Sequence, residues 1–437
     1  MKSKLIFSIL IILLTSFLVS CNRNEEDLFD ESPAVRVNNS ISEANDLFIS
    51  GDNGWVFEYF PNSASAGVTY LVKFSTTRQV KMATVNNYVT TYKEADSFWR
   101  VINDMGPVLT FDTYNDLFHL YSSPTNPATN ESDGVGLEGD YEFLIVDKTT
   151  DEITLKGKKR GTKSILRRLS STQGWSGYFD LLSNMNAVIF GKSNSNLRLL
   201  VDNNELFTLK NGNSHIFSAI PTGGDEIEDA TASPFIVTDY GIRLSSPMKV
   251  GEKMAQSFKL SDDKNELICT DAGVNAKIVS MPPSQIFSNI INARKYMNLK
   301  FSDDNMSASI KSAYTTINNI VVAKTRKLEY IGFTNNKDYG TSLSVYTSKG
   351  TSKIEGFLSY TITELTDNSV RLKFNGFTGK YDTNGKTYFD TYAVANLVTT
   401  LEDDYTITTM GSALSASTLR FTSTSDTSKW FDLILKI

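Results

Sequence analysis

Histidine, the side chain best suited to proton transfer near neutral pH, occurs only twice in the chain, as His119 and His215. A catalytic zinc site needs two or three clustered histidines, and two that are far apart in sequence supply that poorly. A Ser-His-Asp triad would have to recruit one of them, and neither is accompanied by a G-x-S-x-G elbow. His119 stands between Phe118 and Leu120 in an alternating run. A hydrogen-bonded structural histidine in a strand is the expectation there. The chain has no phosphate loop and no dinucleotide fingerprint.

Carboxylates are plentiful, at 49 Asp and Glu. Asp140 with Glu142, and Asp151 with Glu152, are local pairs. Alternate strand residues share a face, so Asp140 and Glu142 would point the same way, as glycosidase chemistry requires of two carboxyls in one cleft. Solvated strand ends are the simpler reading. Asp262-Asp263-Lys264-Asn265-Glu266 reads as a turn and lacks the spacing of a calcium loop. Cys269 follows the short apolar run Leu267-Ile268 with no basic neighbour to activate its thiol, and reads as buried and inert. The strongest charge feature is Lys156-Gly157-Lys158-Lys159-Arg160-Gly161-Thr162-Lys163, with Arg167 and Arg168 beyond it. It suits a solvated hairpin end or an anionic ligand. Lys158, Lys159 and Arg160, with Trp55 as an aromatic contact, are the candidate ligand-binding residues. Trp55, Tyr59, Trp99 and Trp175 otherwise read as core. No catalytic residue, metal or cofactor is expected.

The leader has a chemistry of its own. Residues 1–20 place Lys2 and Lys4 before a nearly unbroken apolar stretch from Ile6 to Leu18, too short to span a bilayer comfortably. Leu18-Val19-Ser20-Cys21 resembles a bacterial lipobox, in which the small residue fits the peptidase and the cysteine sulfur carries the lipid. Cys21 is thus the expected lipidation site, and several acyl chains there would hold the protein on a membrane. Residues 21–40 are polar and acidic and read as a flexible tether. Glu25-Glu26-Asp27 and Asp30-Glu31 resemble an export tag for the outer face of the outer membrane. With Cys21 committed, Cys269 has no internal partner, so stability must come from burial. The formal net charge of −6 argues against a nucleic-acid partner.

The elements that must position these residues are mostly strands. Hydrophobic residues make up 40% of the chain and charged ones 21%, as in a globular protein. Ile41–Ile49 has helical spacing and ends at Gly51-Asp52-Asn53-Gly54. The period then changes to two. Val68–Phe74, Val80–Val85, Val108–Phe111, Leu117–Tyr121, Tyr141–Val146 and Ile153–Lys156 read as an antiparallel meander, with a lipocalin-like barrel as the closed form over 50–170. Ser171-Thr172 is placed to cap a helix through Leu182. A second β-rich region runs from Ala187 to Met281, and helices follow around Ile286–Ile291 and Ile310–Ile320. A helical or mixed stretch lies near Tyr388–Leu397. The hairpin from Tyr141 recurs in form at Tyr360 and Tyr405, and Pro107–Pro124 is echoed by Pro234–Pro247. The expected fold is mainly β: antiparallel meander, barrel or half-barrel modules in tandem with a few short connecting helices. Its parts are a signal (1–20), a tether (21–40), two β modules (41–170 and 171–283) and a C-terminal α+β region (284–437).

Four segments in one order carry a family resemblance: Gly54–Pro61, Gly106–Asn115, Gly139–Phe143 and Ile153–Lys159. Together they resemble a family of Bacteroidetes lipoproteins known only as domain of unknown function 4302. One departure is the loop Asn62–Gly67, where a glycine pair is expected and a single glycine stands. The resemblance supplies no activity. It implies an accessory lipoprotein near outer-membrane nutrient uptake, where a SusD-like lipoprotein and a TonB-dependent transporter work as a pair. The expected function is a non-catalytic, lipid-anchored outer-membrane protein that binds a ligand or partner. A surface structural or adhesive component and a carboxylate-dependent hydrolase remain as alternatives.

Overall fold

Period-two alternation closes on itself three times in this protein. The computed structural model describes residues 32–125, 134, 136–170, 174–191 and 196–436. Cys21, the leader, the first part of the tether and the Ser171-Thr172 cap lie outside the described residues. Strands β1 (Trp55–Tyr59) to β8 (Lys163–Arg168) form the first barrel. Strands β9 (Leu197–Val201) to β16 (Ala276–Ser280) form the second, and β17 (Tyr296–Leu299) to β24 (Trp430–Lys436) the third. All three are eight-stranded, antiparallel and ordered as the chain runs. In each, an inward apolar residue of the first strand pairs on both sides and closes the ring. Phe57 lies between Tyr70 and Leu166, Leu199 between Phe207 and Ile278, and Met297 between Phe333 and Leu435. Closure leaves none of the described strands with an unpaired edge.

One helix precedes each barrel: α1 (Pro33–Ile49), α2 (Trp175–Ile189) and α3 (Pro283–Asn292). The Ser32 hydroxyl caps α1 by accepting the Val35 N–H, and Pro33 follows it, where a missing N–H costs nothing. Helical spacing puts Ala44 and Phe48 on one face, and both are buried against the first barrel. The Phe48 ring stands 4.9 Å from Phe74 and 5.7 Å from Trp99. At the end of α2, Phe190 reaches Phe235 at 5.3 Å, and in α3 Phe287 reaches Phe421 at 4.9 Å. The repeating unit is therefore a helix and the barrel whose end it closes. The tether reading is shortened by this result, since α1 begins at Pro33, well before Ile41.

The region 284–437, expected as an α+β region, closes into a third barrel with helices in its connections. Three helices sit in its connections and mask the alternation. Helix α4 (Ala308–Ala323) joins β17 to β18 (Lys327–Asn336). Helices α5 (Thr383–Thr391) and α6 (Val394–Leu401) join β21 (Ser369–Phe374) to β22 (Asp403–Thr409). Ile310, Ile317 and Val321 of α4, and Val394, Leu397, Val398 and Leu401 of α6, belong to the barrel's core. The first barrel has its long insertion in the same place, between its fifth and sixth strands, β5 (Pro107–Phe111) and β6 (Glu142–Lys148). Leu117–Tyr121 lies in this insertion and is not a strand. Asn115 Oδ1 accepts the N–H of Leu117 and of Phe118, which turns the chain into a single 3-10 turn at His119–Tyr121. The alternation there reports side chains entering the barrel from a loop.

The barrel interiors are filled by the chain's own side chains, as eight strands allow. Phe57, Tyr70, Phe74, Trp99, Phe111, Phe118 and Phe143 are all at most 2% exposed and pack ring on ring in the first barrel. The third barrel is locked onto the second by a short turn, Ala413–Ser415. Leu414 joins the second barrel's core, the Ala413 N–H donates to Asn265 Oδ1 at 3.1 Å, and the Ser415 hydroxyl donates to the Val188 carbonyl at 2.8 Å.

An acid-stability prediction follows from Asp403, at the start of β22. Burial pushes its pKa up, but the Lys429 ammonium in contact with it and the Ser423 hydroxyl at 2.8 Å outweigh that and hold it at about 2. Its ionised form therefore stabilises the fold above the usual carboxylate value, and that contribution disappears as pH falls from about 4 to about 2. In urea titrations, Asp403→Asn should lower stability at pH 7 and flatten its decline over that interval.

Candidate functional site

Three of the four family-like segments meet through Tyr59, Asp140 and Lys159 at the end of the first barrel away from α1, and they meet as architecture. Asp140, 4% exposed, accepts the backbone N–H of Lys159 at 3.0 Å and of Arg160 at 2.8 Å. The Tyr59 hydroxyl donates to the Asp140 carbonyl at 3.0 Å. Gly157 is glycine because any Cβ there would collide with the Asp140 carboxylate. The turn between β7 (Glu152–Gly157) and β8 is thus pinned from within. Charge-assisted bonds to backbone N–H groups are each worth about 1.5–3 kcal/mol. Asp140→Ala should lower the unfolding free energy by about 2–4 kcal/mol in chemical denaturation, without moving Asp140's neighbours onto any substrate chemistry.

Two of the three candidate basic residues are engaged by acids. Lys158 contacts Asp104 and lies 3.3 Å from Glu142, and Arg160 lies 2.8 Å from Glu138. Lys159 is exposed. Glu142 is therefore engaged by a cation rather than set against Asp140. Asp151 faces Arg168 at 3.3 Å and Glu152 faces Arg243 at 3.6 Å. Trp55 is fully buried, donates its indole N–H to the Phe48 carbonyl at 2.9 Å and carries the Arg168 guanidinium 4.7 Å above its ring. As a ligand contact it is replaced by a role in seating α1. Trp99 and Tyr59 are also core, while Trp175 is half-buried and donates to the Asn53 carbonyl at 2.9 Å.

The histidines have no neighbour in common. His119 Nδ1 accepts the Asn115 N–H at 3.0 Å, and burial lowers its pKa. His215 pairs through Nε2 with Asn186 Oδ1 at 2.8 Å, and burial lowers its pKa too. Cys269 is buried, 3.3 Å from Asp271, and burial pushes its thiol up to about 11. Among the described residues no group of three His, Cys, Asp or Glu is placed to hold a metal ion. No helix among them is long and apolar enough to cross a membrane.

The sequence gives little warning of the most consequential group. Glu58 sits in the apolar strand Trp55–Tyr59 and is 1% exposed. Its side chain points out of the first barrel into the second. Arg243 of β13 (Gly241–Val250) reaches it at 2.8 Å and Arg167 of β8 at 3.5 Å. Arg167 also contacts Asp239, lies 3.3 Å from the Tyr178 hydroxyl of α2 and stands over the Tyr240 ring at 5.5 Å. Burial pushes the Glu58 pKa up, and the two guanidiniums draw it back. Beside this cluster Val56, Leu71 and Ala83 pack against Tyr178 and Phe179 of α2. The only available signal was a carboxylate at a position flanked by aromatic residues. Breaking a buried pair costs about 3–5 kcal/mol. Glu58→Gln should lower stability by that order in urea unfolding and widen the spacing of the first two barrels in small-angle scattering.

A cleft of about 800 Å³ opens at the same junction. The loops following β1 and β3 (Gln79–Thr84) form one wall, with Ala64–Gly67 and Asn86–Tyr88. Phe179, Leu182, Ser183 and Asn186 of α2 form the floor, and the turn Asn213–Ile216 with Ile236 of β12 (Thr231–Val237) forms the other wall. Gly67 explains its own loop. Its N–H donates to the Phe235 carbonyl at 3.1 Å, and a Cβ there would meet the Ile236 side chain at 2.6 Å. The single glycine lets the first barrel touch the second. Among the described lining residues none is Asp, Glu, Lys or Arg.

Three serial up-and-down barrels, each closed by a helix and filled within, define the class of protein. The family model called domain of unknown function 4302 matches residues 25–262, more than half of the chain, and the chain belongs to that family. The match spans the first barrel, the junction and the second barrel as far as the turn between β14 (Lys253–Leu260) and β15 (Glu266–Cys269). No curated protein matches the chain.

Proposed function

We propose that this is a non-catalytic, lipid-anchored protein of the bacterial outer membrane that holds a ligand or partner in the cleft between its first two barrels, as an accessory to nutrient uptake. The observation that carries the binding role is the contrast between filled barrels and an open junction. Aromatic side chains occupy the space in which a barrel of this size would carry cargo, while about 800 Å³ stands open where the barrels meet. The leader and Cys21 support the anchor, and the acidic residues after Cys21 support the outer membrane. The resemblance to accessory lipoproteins supports a TonB-dependent transporter or a SusD-like lipoprotein as neighbour. The adhesive alternative, which would pair through open strand edges, finds none among the described strands.

The anchor is tested by Cys21→Ala. The wild-type chain should fractionate with outer membranes and incorporate labelled palmitate, and the variant should do neither. Retention of the variant in the membrane fraction would overturn the anchor. The uptake role predicts that mild-detergent purification from native membranes recovers a TonB-dependent transporter or a SusD-like lipoprotein with the wild-type chain. Recovery of the chain alone would count against it.

A further inference from the structure

The cleft has a chemical character sharp enough to name a ligand class, given the reading that it is the binding site. Charged residues make up 21% of the chain, yet the described residues lining the cleft include none. An ionic ligand would give up its hydration there without meeting a counter-charge among the described lining residues. A purely apolar ligand would leave polar side chains of the walls without a partner, among them Asn87, Thr90 and Ser183. An extended peptide would find no open strand edge to join among the described strands.

What remains is a neutral ligand rich in groups that both donate and accept. A carboxamide offers an N–H donor and a carbonyl acceptor side by side, the complement of a hydroxyl that does both. The aromatic part of the lining suits the apolar faces of such a ligand. Tyr88 is half-buried and meets Tyr121 edge-on at 5.9 Å, so its ring is held in place within the wall. His215, paired with Asn186 at 2.8 Å, is kept in its neutral form by burial and adds no charge near pH 7. We infer that the cleft between the first two barrels binds a neutral carbohydrate, seated on Tyr88 and hydrogen-bonded by polar side chains of the walls such as Asn87, Thr90 and Ser183.

The full lipidated chain in detergent is screened against neutral oligosaccharides (α- and β-glucans, mannans, xylans and fructans). Polygalacturonate, heparin and uncharged peptides are run beside them. At least one neutral oligosaccharide should bind. Tyr88→Ala should weaken it at least tenfold, and Asn87→Asp, which puts a charge at an exposed position of the wall, should do the same. Lys159→Ala, on the basic hairpin, should leave it unchanged. Melting curves establish that each variant is folded. Binding confined to polyanions or peptides, neutral binding indifferent to Tyr88→Ala and Asn87→Asp, or no binding anywhere on the panel would each overturn the inference. Asn87→Trp, which fills the cleft, separates the two levels. If a polyanion or peptide binds and Asn87→Trp abolishes it, the cleft is the site and only the ligand class is wrong. If no bound probe responds to Asn87→Trp, the cleft itself is not the site.

Discussion

A single buried carboxylate holds the first two barrels in register. Glu58 leaves water for the company of Arg243 and Arg167, and those arginines are tied in turn to Glu152, Asp239 and the Tyr178 hydroxyl. Ions so arranged are costly to bury and more costly to separate. Two barrels joined only by apolar patches can slide, because burial is non-directional. A guanidinium set on a carboxylate cannot slide without stranding both. The loops that face each other across the cleft inherit their spacing from that constraint, as does the close approach of Gly67 to Ile236.

The barrels themselves share one solution to the problem of ends. An eight-stranded ring has walls that need no edge but two mouths that would admit water. A preceding helix closes one mouth each time. In the first and third barrels the connection between the fifth and sixth strands supplies side chains for the core from a loop or helix. The second barrel has only a tight turn at that place, Gly251, where φ is +67°. At its helix-side mouth, Leu414 from the third barrel joins the core beside Ile189 and Phe190. The third barrel lies beyond the residues that define the family, yet it contributes to the core of one that lies mostly within them.

Much of this was legible because strands declare themselves by alternation. Val68–Phe74 coincides with β2, and the apolar spacing of Ile310, Tyr314 and Ile317 marks α4. The overall reading of β barrels in tandem rests on such segments. Two kinds of feature escaped. One is apolar residues that enter a core from outside its strands: Phe118 and Leu120 mimic a strand from a turn, and the helices within the third barrel dilute its period. The other is polar residues whose meaning lies in a distant partner. Nothing near Glu58 in sequence announces Arg243, and nothing near Asp140 announces the N–H groups of Lys159 and Arg160. The basic run looked like a binding surface because its charges are adjacent in the chain. The counter-charges of Lys158 and Arg160, namely Asp104, Glu138 and Glu142, are adjacent only in space. The cleft was invisible for a related reason: it belongs to no segment, only to the meeting of two barrels and a helix.

The placement of α1 has a consequence for how the protein would stand on a membrane. It packs at the end of the first barrel where β1 begins and β2 (Val68–Phe74) ends, while the cleft opens at the opposite ends of the same strands. A lipid on Cys21 would leave residues 22–32 to reach Pro33, a covalent span of at most about 40 Å. The seven residues of β2, about 20 Å along the strand, separate the α1 end from the cleft. With a lipid at Cys21, the first barrel would serve as a pedestal, its α1 end toward the anchor and the opening at the far end of β1 and β2.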